Sequence, residues 1–223
     1  MENKLHIFNE KIYEKCNLLK NKDELACPLL VSSNNQYLEK INESKQKILY
    51  IGQETNGWVN YDDNNEFMVN EIEKVYYDFM MKSDYNKPFW QFIKSIIGPD
   101  NKVFDNIIWN NIFITGKRSE IGPPSNHNEI GEISLEYLLF LYEYFKPKNV
   151  ILVSGPNNPY YDITIKFLKE IKSNIKTYPT VNNNMLIDYE KNIFWTYHPN
   201  YQNRKNFINY NEEKIKTIIL TKC

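Results

Sequence analysis

Along the first part of the chain, Leu5, Phe8, Ile12, Cys16 and Leu19 recur three to four residues apart among charged positions, which predicts an amphipathic helix over 4–20. Pro28 opens an irregular connection, and 37–44 reads as a short helix. The period then changes. Ile48 to Ile51 is an unbroken apolar run that ends at Gly52 and passes at once into Gln53, Glu54, Thr55 and Asn56, predicting a buried parallel strand over 47–52. Similar runs predict strands at 106–113 and 149–155, with shorter ones at 184–188 and 193–197. Between them, Phe67, Ile72, Val75, Phe79 and Met80 form a helical stripe over 64–82. Pro88 sits at the favoured first turn of a helix running to about Ile97, and Gly98-Pro99-Asp100 breaks it. Helices are also predicted over 132–145, stopped by Pro147, over 159–172 and over 206–221, while 115–128 is a loop rich in Gly, Pro, Ser and Asn. Strands alternating with helices predict an α/β fold: a three-layer α/β/α sandwich around a mostly parallel central sheet of about four strands, plus N-terminal helices. With no internal repeat and no linker, residues 1–223 read as a single domain, 1–45 being a helical extension packed on it.

Composition narrows the function classes. Hydrophobic residues make up 42% of 223, enough for a sizeable core. A net charge of −1 gives no global positive field, so any nucleic-acid contact rests on local patches. One such patch is the tail, where Arg204, Lys205, Lys214, Lys216 and Lys222 oppose only Glu212 and Glu213. Cys16, Cys27 and Cys223 make no zinc spacing and no disulfide framework, so no metal is expected and a reducing cytoplasm is. Met1 to His6 lacks the apolar core of a signal peptide, and no run approaches the roughly 18 apolar residues of a membrane span.

Open α/β sheets bind ligands beyond the carboxyl ends of their strands. Glu54 stands at that end of the first strand, and Ile193 to Tyr197 runs into His198-Pro199-Asn200 at the end of the last. A carboxylate and an imidazole meeting there can share acid–base work. Taken singly, each has a plainer role: a Glu after a strand caps a helix, a His-Pro makes a turn, and Asn110 and Asn111 sit in an Asn-rich chain.

Gly52-Gln53-Glu54-Thr55-Asn56 resembles the Gly-Gln-Asp-Pro-Tyr motif that follows the first strand in the uracil-DNA glycosylase superfamily, with Glu54 where that motif has its catalytic Asp. His198-Pro199-Asn200 and the segment to Arg204 are similar to the family's His-Pro-Ser motif. Trp109-Asn110-Asn111-Ile112, leading to Lys117-Arg118 and Pro123-Pro124, resembles the base-reading segment of its thermophile-type branch, and Val150 to Pro156 its strand-Gly segment. The four segments occur in the family's order and span 47–204.

The resemblance implies hydrolysis of the N-glycosidic bond of uracil, or a related deaminated base, in single- or double-stranded DNA, by a monomer needing no cofactor. It assigns the carboxylate or water-positioning role to Glu54 and leaving-base stabilisation to His198. Base binding falls to Gly52, Gln53 (through its backbone N–H), Asn56 and Trp58, with Asn111 or alternatively Asn110 reading the base. Asn200, Arg204 and Lys205 meet DNA phosphate. Base extrusion calls for an aromatic stacking partner, and Trp58, Phe89 and Trp90 all qualify. Thr55 replaces the motif's proline, Asn56 the tyrosine that excludes thymine's methyl group, and Asn200 its serine. Three cysteines cannot supply the four-cysteine iron–sulfur cluster of the thermophile-type branch. Two alternatives stand beside this reading: a non-catalytic nucleic-acid or nucleotide-binding protein that keeps the glycosylase fold, and an N-glycosidase acting on free nucleosides.

Overall fold

The apolar runs become the strands of one sheet. In the computed structural model, which describes residues 3–55, 58–59, 68–81, 86–98, 105–180 and 182–221, Ile48–Glu54 forms β1 and Ile107–Phe113 forms β2, whose seven residues are all buried. Asn149–Leu152 is β3, Met185–Asp188 β4 and Ile193–Thr196 β5. The order is β2-β1-β3-β5-β4, every pairing parallel except β4 against β5. The sheet therefore has five strands rather than about four. β4, where the run at 184–188 predicts a strand, is a return strand whose short turn is held by the Asp188 carboxylate, which accepts the backbone N–H groups of Glu190 and Lys191 at 3.1 Å each.

Helices connect and cover the strands: Lys4–Asn17 (α1), Asn35–Glu43 (α2), Val69–Met81 (α3), Pro88–Ile97 (α4), His127–Phe145 (α5), Tyr160–Glu170 (α6), Pro199–Arg204 (α7) and Ile208–Thr221 (α8). The steps from β1 to β2 and from β2 to β3 run in opposite directions across the sheet, so right-handed crossovers carry α3–α4 and α5 over opposite faces. α4 packs on α7 and α8, while α5 packs on β2, α6 and α1. One hydrophobic cluster runs through the fold from Leu5 to Ile219.

The N-terminal segment is built into this core. Leu5, Ile12 and Cys16 bury one face of α1, and Ala26 and Leu29 donate backbone hydrogen bonds to Gly116 and Ile114 just beyond β2. α1 is further tied down by a buried polar network. The Glu73 carboxylate, 4% exposed, accepts from Asn9 Nδ2 at 2.7 Å, Ser33 N at 3.2 Å and the Ser33 hydroxyl, and lies 2.9 Å from His6 Nδ1. Asn9 Oδ1 in turn accepts from the Tyr137 hydroxyl at 2.7 Å. Burial of these oxygens is offset because donors fill their lone pairs.

β2 lies at one end of the strand order, yet side chains meet its outward backbone groups. The Tyr37 hydroxyl donates to Ile107 O at 3.0 Å. The Tyr76 hydroxyl accepts from Trp109 N at 2.9 Å and donates to Trp109 O at 3.1 Å. Asn111 N donates to the Asn110 side chain at 2.9 Å.

Candidate active site

Parallel register decides what meets at the carboxyl edge. β1 and β2 pair Gly52 with Asn111 and Glu54 with Phe113, while β1–β3 and β3–β5 align Ile51, Leu152 and Trp195 one strand after another. Glu54, Asn111 and the His198 loop therefore emerge at the same edge. Gln53 ties β1 to β3 there, its Nε2 donating to Ser154 O at 2.8 Å.

The Gly52 position is tight. A Cβ on it would lie 2.4 Å from Asn111 Oδ1 and 2.9 Å from the Phe89 ring. Glycine is what lets the β1 backbone, the carboxamide and the ring share this space. Phe89 is fixed through Tyr50, whose hydroxyl donates to Phe89 O at 2.8 Å. Its ring stacks on the His198 ring, centroids 5.9 Å apart and planes 22° from parallel. Of the three stacking candidates, Phe89 thus adjoins both Gly52 and His198. Trp90 is 5% exposed and packed in the aromatic cluster with Phe79 and Trp109. Trp58 stands edge-on to Phe79 and Trp109, centroids 5.5 Å away in each case, and its buried indole N–H has no partner among the described residues.

The two asparagines are told apart by their bonds. Asn110 donates from Nδ2 to Leu29 O at 3.0 Å and accepts from Asn111 N through Oδ1, so its amide holds the backbone together. Asn111, 2% exposed, accepts the Trp109 indole N–H at 3.3 Å through Oδ1, and among the described residues its Nδ2 is left without an acceptor. A buried amide donor left unpaired is costly, and a ligand with a carbonyl oxygen would satisfy it.

His198 caps α7, its Nδ1 accepting from Asn200 N at 3.2 Å. Burial, aided by the nearby Arg204 guanidinium, lowers its pKa to about 4. The ring is therefore neutral near pH 7, and with Nδ1 an acceptor its proton sits on Nε2, available to donate. The loop is held from behind: buried Gln202 donates to Tyr197 O at 2.5 Å, and Asn211 Nδ2 bridges Gln202 Oε1 at 2.8 Å and Thr196 Oγ1 at 3.0 Å.

Glu54 is half-buried. Its Oε2 accepts the Tyr160 hydroxyl at 2.5 Å. Burial raises its pKa above the ordinary carboxylate value, and the Tyr160 hydrogen bond and the nearby Gly122 backbone N–H partly counter the rise. Tyr160 went unread in the sequence because it is one apolar-face residue of an amphipathic helix, 106 positions from its partner.

Asn200, Arg204 and Lys205 are exposed around α7, with Lys205 Nζ 5.9 Å from the centre of the Tyr201 ring. Asn56 lies outside the described residues. Lys117 is paired with Glu120 at 2.8 Å. Among the described residues no group of three or more His, Cys, Asp or Glu side chains could hold a metal ion, and no helix is long and apolar enough to cross a membrane. No protein family, curated protein or solved structure was found to match the chain.

Proposed function

We propose that this chain is a DNA glycosylase of the uracil-DNA glycosylase type, with that family's three-layer α/β/α domain, hydrolysing the N-glycosidic bond of uracil or a related deaminated base. One observation carries the reading. The buried Asn111 amide, its donor unpaired among the described residues, lies in register with Gly52 at the edge that also bears Glu54 and a neutral His198.

In this mechanism the base leaves the DNA stack and stacks on Phe89, beside Gly52. Asn111 Nδ2 donates to a carbonyl of the base. As the glycosidic bond lengthens, negative charge gathers on the departing base and His198 Nε2–H stabilises it, as an oxyanion-type donor does. Positive charge gathers on the sugar, where the Glu54 carboxylate stabilises it and orients water, the usual logic of glycosidase carboxylates. The Tyr160 hydroxyl holds that carboxylate in place. Exposed Arg204 and Lys205 meet phosphate. The protein acts as a monomer in a reducing cytoplasm.

The test incubates purified protein with uracil-containing single- and double-stranded DNA, with free deoxyuridine alongside. Release of base from DNA alone is expected. Glu54→Gln and His198→Ala should each lower single-turnover release by about 100-fold or more with unchanged circular dichroism. Unchanged release from both variants refutes the assignment. One observation favours a second reading, a binding protein without turnover: burial raises the pKa of Glu54, which weakens it as a charged group. Binding of uracil-containing DNA without release would select that reading.

A further inference from the structure

The orientation of the Asn111 carboxamide is not free. An indole N–H donates only, so the amide atom beside Trp109 Nε1 has to be the oxygen; the nitrogen there would set donor against donor. Trp109 and Asn111 stand two apart on β2, which puts both side chains on one face of the strand, and the bond between them is 3.3 Å long. Oδ1 also lies above Gly52, in space that a Cβ there would fill. The nitrogen occupies the other branch of the planar group, buried and, among the described residues, without an acceptor. Trp109 itself has little room to turn, being 7% exposed and in contact with the rings of Trp58, Tyr76, Phe79, Phe89 and Trp90.

We infer that Trp109 is a positioning residue for specificity: its indole N–H holds the Asn111 carboxamide with N–H2 toward the ligand, so the site accepts a pyrimidine edge presenting a carbonyl and rejects one presenting an amine. Uracil and cytosine differ in this way at position 4, carbonyl against amine, and their ring N3 is respectively a donor and an acceptor. A second donor facing the Asn111 N–H2 would leave both groups desolvated and unpaired, the situation in which polar sites discriminate most strongly. The inference rests on the glycosylase reading for its ligand class, while the tryptophan–asparagine contact stands independently of it.

The experiment follows the Asn111 side-chain amide resonances of isotopically labelled protein during titration with free uracil and with free cytosine. It also compares release of the two bases from single-stranded DNA. Wild type should favour uracil by about 100-fold or more. Trp109→Phe removes the donor, lets the carboxamide turn over, and should shrink that ratio about tenfold. Because the ring is packed in the core, a second variant carries β-(3-benzothienyl)alanine at 109, which keeps the bicyclic shape and replaces N–H by sulfur. A merely structural role for Trp109 would weaken both bases equally. Equal responses of wild type to the two bases, or an unchanged ratio in the sulfur variant, overturns the inference. Free-base selectivity that depends on Trp109, together with no release from DNA, upholds it and counts against the glycosylase reading alone.

Discussion

Gly52→Ala separates a site built by close contact from one that merely lies near a strand end. The substitution strains no backbone angle, because Gly52 does not use a positive φ. What it adds is one methyl group, 2.4 Å from Asn111 Oδ1 and 2.9 Å from the Phe89 ring, where ordinary contact begins near 3.4 Å. The carboxamide has to retreat by about 1 Å, which breaks its bond to Trp109. Overpacking of this kind costs about 1–3 kcal/mol, and the lost hydrogen bond adds about 1 kcal/mol. The expected loss of stability is thus about 2–4 kcal/mol, read from urea midpoints at constant slope. Because the displaced groups are those proposed to stack on and read the base, a shift of about 1 Å should lower single-turnover base release by about 100-fold. Gly131→Ala is the control. A Cβ there meets Ile163 Cδ1 at 2.6 Å, the end of a flexible side chain. The helix gains about 1 kcal/mol from alanine, which offsets the repacking, and release should not change. Wild-type release and stability in Gly52→Ala would refute the geometry on which the proposed site depends.

Tyr160→Phe removes a hydrogen bond that lowers the Glu54 pKa, so that pKa should rise further. The acidic limb of the release profile should move to higher pH; a limb that stays in place would mean that Glu54 does not set it. Burial depresses the folded-state pKa of His198 to about 4, from an ordinary 6.5. The unfolded chain therefore takes up this proton first, and the residue's contribution to stability is lost as pH falls from 6.5 towards 4. His198→Gln should flatten that part of a plot of urea midpoint against pH, and an unaltered slope would contradict the burial argument. Glu73→Ala leaves Asn9, His6 and Ser33 without their acceptor, and should cost about 3 kcal/mol or more in urea denaturation. Arg204→Ala and Lys205→Ala should each reduce the slope of log binding constant against log salt by about one; unchanged slopes would take phosphate away from α7.

Much of this architecture could be read from the order of residues, because strand and helix differ in period. Ile48–Ile51 ending at Gly52 announced β1, and Pro88 marked the start of α4. Legibility failed where a residue's role is set by a distant partner. α5 begins at His127, five residues before the predicted Glu132, and the early turn includes Gly131, which leaves space for Ile163 of α6. Asn110 and Asn111 are indistinguishable in one dimension; the β1–β2 register and the acceptors at Leu29 and Trp109 separate them. The Tyr160–Glu54 contact had no local signal at all.

The tyrosine hydroxyls on β2 carry a consequence for life at high concentration. A bare outermost strand invites a neighbouring molecule to zip on, which is how many sheet proteins begin to aggregate. Here Tyr37 and Tyr76 stand in for a sixth strand, so that an intruding chain finds the ladder already occupied. Removing one hydroxyl, as in Tyr76→Phe, should therefore make the protein prone to precipitation beyond what its lower stability alone would cause.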